Sequence, residues 1–146
     1  MEENKSSSEV LSEIYRNAQL ALTSISDILP EIEDERIKEE ILRQHEEYER
    51  ISSQAALLAR QRGQELAEPG PMKKAMMWSG IKMNTMTDNS VQHIAEMMLK
   101  GTVMGISALR QSETDNKGLE DPEVSDLLHE LIALEEEFEK RLKEFL

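Results

Sequence analysis

The chain has 146 residues, enough for one ordinary domain with a real core, and no cysteine, which excludes disulfides, thiolate metal sites and cysteine nucleophiles. Aromatic residues make up only 3%, so base-stacking platforms and aromatic-lined pockets are disfavoured. The formal charge of −13 gives a surface that repels nucleic-acid phosphates and anionic lipid, so neither nucleic acid nor a membrane is expected as a partner.

The opening MEENKSSSEV has neither the apolar stretch of a signal peptide nor an arginine-rich amphipathic pattern, and a cytoplasmic location is the expectation. The apolar run at 97–99 and 101–109 is broken by Lys100 and is too short to span a bilayer of about 30 Å. No window alternates as a half-buried strand does, and the whole chain reads as all-α.

A first helix is predicted over about 8–29. Val10, Leu11, Ile14, Ala18, Ala21, Ile25, Ile28 and Ile32 recur at three- and four-residue steps and form one apolar stripe. Pro30 ends or kinks it. A second helix is predicted over about 35–68, capped by Asp34, with Ile37, Ile41, Gln44, Tyr48, Ile51, Ala55, Leu58 and Leu66 inward and EPGP at 68–71 as its stop.

The third block, about 72–112, holds eight of the nine methionines, all but Met1. It carries Lys73, Lys74, Lys82, Lys100 and Arg110 against Asp88 and Glu96, the reverse of the chain's overall balance. A continuous helix of that length would span about 60 Å. A kink or break with a fresh cap is therefore expected at Thr87-Asp88-Asn89-Ser90. After the loop ETDNKGLED at 113–121, a fourth helix is predicted over about 122–145, with Val124, Leu127, Leu128, Leu131, Leu134, Phe138, Leu142 and Phe145 on one face. Four amphipathic helices with short connections predict an antiparallel up-down bundle in a single domain, 1–146.

SVQHIAEMMLKGTVMGISAL, residues 90–109, is apolar around most of the helical circle. A bundle of four cannot cover one member all round, so a second partner is expected on this helix. Gly101 and Gly105, with Ala108, form a ridge of small residues that lets another helix approach. Each glycine costs roughly 1 kcal/mol of helix propensity against alanine and asks for a packing reason. Met97 and Met104 point away from that ridge, in line with Met86 and His93, and methionine adapts to a partner surface. The expected interface is thus Met86, His93, Met97, Gly101, Met104 and Gly105, used in a homodimer, a higher homo-oligomer or a contact with another protein. The simpler reading is that the methionines fill a loosely packed core. Lesser readings are a Cu(I) site at Met83/Met86 or Met97/Met98 and a methionine-lined cavity for a small ligand or lipid.

Bundle proteins with a binuclear metal centre place a glutamate on each of two helices and Glu-x-x-His on each of the other two, all inward. Here the first helix has no acidic residue on its inner stripe; Glu13 and Asp27 are expected outside and Asn17 at the border. Leu42 stands three residues before His45, although His45 and Glu49 are one turn apart. His93-x-x-Glu96 reverses the motif, and Asp126-x-x-His129 puts the imidazole outward. Glu135 alone falls near the Leu128/Leu131/Leu142 face, where the simplest reading has it snorkelling to water. His45, Glu49, His93, Glu96 and Glu135 are the candidate ligands if a metal binds at all. The motifs of phosphate-binding loops, dinucleotide sites, serine hydrolases and zinc proteases are absent, which points away from an enzyme and leaves no cofactor to expect.

The run His93-Ile94-Ala95-Glu96-Met97 with Gly101 to Ile106 resembles the third-helix signature of small bacterial proteins of the ferritin-like superfamily. The resemblance implies a ferritin-like four-helix bundle. Iron storage or oxygen-dependent di-iron chemistry does not follow from it, because three of the four helices depart from the ligand pattern. The expected function is that of a non-enzymatic bundle acting through its third helix. The alternative is a ferritin-like iron carboxylate protein with a non-standard site.

Overall fold

The computed structural model describes residues 2–67 and 88–146, with side chains from Ser6 onward. The described residues form four α-helices and no strand: α1 (Glu2–Ile28), α2 (Glu35–Gln61), α3 (Val91–Asp115) and α4 (Pro122–Lys143), with a 3-10 turn at Leu29–Glu31 around Pro30. The stretch 72–87 of the predicted third block, including Met83 and Met86, lies outside the described residues.

Each helix after the first begins at a polar cap. Asp34 accepts from the Ile37 backbone N–H, Ser90 from that of His93 and Asp121 from that of Val124, which satisfies amide groups that have no partner inside the helix. Ser90 is the cap expected at 87–90, and α3 starts directly after it. α2 stops at Gln61, several residues before the predicted EPGP boundary. The cause is Gly63, which takes φ 66°. Its N–H bonds to Arg60 O at 3.2 Å and the Gln64 N–H to Ala59 O at 2.8 Å. These bonds close the last turn in a glycine-dependent reversal.

The predicted stripes are the core. Val10, Leu11, Ile14, Ala18, Ile25 and Ile28 of α1 meet Ile37, Ile41, Tyr48, Ile51 and Ala55 of α2, Ile94, Ala95 and Leu109 of α3, and Val124, Leu128, Leu131, Phe138 and Leu142 of α4, all buried. Ala21, Leu58, Leu66, Leu134 and Phe145 sit at its margin.

Cross-links between helices fix their directions. Gln19 bonds Ser52 and Gln64 bonds the Ser8 carbonyl, so α1 and α2 are antiparallel. Asn17 reaches Gly105 and Asn89 reaches Glu31, so α1 and α3 are antiparallel as well. Arg110 pairs with Glu136 and Glu113 with His129, so α3 and α4 are antiparallel. Arg62 with Asp121, Arg50 with Glu130 and Arg141 with Glu40 set α2 against α4. Hence α2 and α3 run the same way, across a diagonal of the bundle, and α1 and α4 share the opposite direction across the other. The strict up-down alternation expected from short connections does not hold between α2 and α3, because Gln61 and Val91 lie at opposite ends of the bundle. Among the described residues no helix is long and apolar enough to cross a membrane.

Candidate functional site

Glu135 interrupts the apolar stripe of α4 between Ile132 and Phe138 and is only 2% exposed. It does not snorkel. The Tyr48 hydroxyl of α2 donates to its Oε2 at 2.6 Å. From α1, the Asn17 amide Nδ2 donates to the Gly105 carbonyl of α3 at 3.2 Å and lies beside the same carboxyl. Gly105 has no side chain because these groups occupy the space: a Cβ there would stand 3.0 and 3.2 Å from the Glu135 oxygens and 3.1 Å from Asn17 Nδ2. Each helix thus contributes one residue to a polar centre inside an apolar core.

Burial pushes the Glu135 carboxyl up to about 7, against the hydrogen bonds from Tyr48 and Asn17 that favour its charged form. Burial and the nearby carboxyl together hold the Tyr48 phenol well above its ordinary range. Two buried acceptors in this centre, Glu135 Oε1 and Asn17 Oδ1, have no hydrogen-bond partner.

The other candidate ligands do not converge on Glu135. His45 Nδ1 lies 2.7 Å from Glu49 on a half-buried face of α2. His93 sits in the first turn of α3, half-buried, with its Nε2 enclosed and unpartnered, as is Asp27 Oδ2 on α1. Glu96 is exposed. His129 is exposed and paired with Glu113, as its outward position predicted. Among the described residues no three His, Asp or Glu side chains come together as a metal ion would need.

The glycines of α3 divide. Gly105 faces the polar centre, whereas a Cβ on Gly101 would meet nothing within 4 Å. Met97 and Met98 pack partly against the core, and Met104 is 66% exposed beside Val103 at 45%. An open groove of about 600 Å³ runs between α1 and the end of α3, with Ser12, Glu13, Arg16, Ala108, Gln111 and Asn116 on its walls.

In the sequence Tyr48 falls inward and Glu135 near the core with nothing to join them, and Asn17 falls at the border of its stripe. A signal for Asn17 was present: it follows Ile14 by three residues and precedes Ala21 by four, on the buried arc of α1. Comparison with protein-family models, curated proteins and solved structures gives no match.

Proposed function

We propose that the chain is a ferritin-like four-helix-bundle protein that acts by association rather than catalysis, with the exposed face of α3 as its contact surface and a second copy as its first partner. The observation that supports this is the strip Gly101, Val103, Met104, Ser107 and Ala108. It is uncharged between Lys100 and Arg110, and in it two large exposed apolar side chains stand next to each other. Leu42, Leu57 and Leu146, the other large apolar side chains exposed among the described residues, are scattered singly, which is ordinary for a protein surface. Open space at Gly101 lets a second helix approach closely. In a chain of charge −13, copies repel one another over most of their surface, so the uncharged strip is where contact meets least resistance.

A two-fold axis near Val103 and Met104 would place Glu96 of one copy near Arg110 of the other, a self-complementary arrangement. Light scattering after size exclusion tests the reading. The expected species has about twice the 16.7 kDa mass of the chain, its share rising with added salt as like charges are screened, and Met104→Glu should return it to a monomer. A wild-type monomer at tens of micromolar in both low and high salt would refute it.

The ferritin-like part of the proposal is supported by the helix directions: two antiparallel pairs, with α2 and α3 parallel, is the arrangement of a bundle with one long crossover. The iron-carboxylate alternative has less support, because the centre presents Asn17, Tyr48, the Gly105 carbonyl and a single carboxylate where such sites need several carboxylates and imidazoles. Iron bound in stoichiometric amount by the purified chain, and lost in Glu135→Ala, would restore it.

A further inference from the structure

We propose that the centre of the bundle is a proton-binding site: Glu135 is carried as the neutral acid in the folded chain, and ionisation of this one group destabilises the bundle.

The geometry leads there because the buried carboxyl meets neutral donors and no opposite charge. The Gly105 carbonyl can only accept, so the Asn17 amide must turn its nitrogen toward it, which leaves Oδ1 as the free end. The Tyr48 hydroxyl gives its single proton to Glu135 Oε2. The second N–H of the Asn17 amide lies on the carboxyl's side, so the carboxyl meets two neutral donors, Tyr48 and Asn17, and no cation among the described residues, while Glu135 Oε1 and Asn17 Oδ1 still lack a hydrogen-bond partner. Acceptors left dry are costly to bury, and an uncompensated carboxylate is more so. One proton on the carboxyl removes a charge that no cation here balances and turns one acceptor into a donor.

The crowding at Gly105 argues for a proton over a larger occupant. The space that a side chain would take on α3 is filled by Glu135 and Asn17 themselves, at 3.0–3.2 Å. No cation faces the carboxyl among the described residues: Asn17 from α1, the Tyr48 phenol from α2 and the Gly105 backbone from α3 are its polar neighbours, and α4 adds no charged group that acts on it. The burial that raises Glu135 to about 7 agrees with the same assignment. Because the folded chain holds this proton to higher pH than the unfolded chain does, the stabilisation is complete below the ordinary glutamate range, is lost as pH rises toward 7, and levels off above it. The inference is independent of whether α3 binds a partner.

The test is a carbon-detected NMR titration of the Glu135 carboxyl in the full chain, with urea unfolding of wild type and Glu135→Gln at pH 5 to 8. The glutamine keeps the shape and supplies a permanent N–H donor. The expected result is a carboxyl that is protonated at pH 5 and titrates near neutrality. The unfolding constant of wild type should rise roughly 50- to 100-fold relative to the glutamine variant across that range. A carboxyl already ionised at pH 5, or parallel pH profiles for the two proteins, would overturn the proposal and put a bound water or cation opposite Oε1. Should the glutamine variant not fold, the wild-type titration decides alone.

Discussion

The Tyr48 hydroxyl and Glu135 Oε2 are 2.6 Å apart across 87 residues of sequence, and both groups are buried. Tyr48→Phe removes the donor and keeps the ring on Phe138, whose centroid is 5.4 Å away. The expected loss is about 1–3 kcal/mol in urea unfolding, since an acceptor is left dry. The Glu135 carboxyl should move further up, because this hydrogen bond holds it down. An unchanged titration in the phenylalanine variant would show that the bond does not act on the carboxyl.

Gly101 and Gly105 are one turn apart on α3 and should answer alanine differently. At Gly101 the new methyl meets nothing within 4 Å, so Gly101→Ala should stabilise the monomer by up to about 1 kcal/mol through helix propensity. At Gly105 the methyl would press on Glu135 and Asn17, groups confined by burial and hydrogen bonds, so Gly105→Ala should lose stability. Thermal melts of the two variants, recorded where the chain is monomeric, check the ordering, and equal gains at both would contradict it.

Phe138 is fully buried beneath Tyr48. Phe138→Ala should cost about 3–5 kcal/mol by opening a cavity next to the polar centre. Denaturant midpoints measure it, and a loss below about 1 kcal/mol would mean that the core collapses to fill the space.

Asp121 couples two elements, capping α4 through the Val124 N–H at 3.3 Å and pairing with Arg62 past the end of α2, Nη2 to Oδ1 at 3.0 Å. Arg62 is the main reason its carboxyl lies below the ordinary range. Its contribution is present above that range and is lost as pH falls through the depressed value, the reverse of Glu135. Asp121→Asn keeps the cap and should cost less than Asp121→Ala, for which about 1 kcal/mol belongs to the cap alone. Comparing the two variants at pH 7 and pH 3 should show the gap between wild type and Asp121→Asn closing at the lower pH.

The candidate site was half legible. Glu135 stood out because a carboxylate amid Leu128, Leu131 and Leu142 breaks the pattern of its helix, and Tyr48 fell on the inner stripe of α2 by spacing. Asn17 lay at the edge of its stripe, where a difference of tens of degrees in helix rotation separates a wet amide from a buried one. The two glycines looked alike in sequence, and the ridge they were expected to form faces two ways: Gly105 into the bundle, Gly101 outward. The end of α2 was misjudged because Gly63 closes a helix as effectively as a proline-rich stop, by adopting a left-handed backbone that other residues rarely take.

By itself the sequence determined four helices, the caps of the last three and the side each turns inward, since these depend on the three- and four-residue spacing of apolar groups and on short-range hydrogen bonds at helix ends. Only the tertiary structure decided that α2 and α3 run in the same direction and that Asn17, Tyr48, Gly105 and Glu135 meet. Those relations join residues up to 118 positions apart, from Asn17 to Glu135, and are set by how four apolar stripes interlock, which no local pattern encodes.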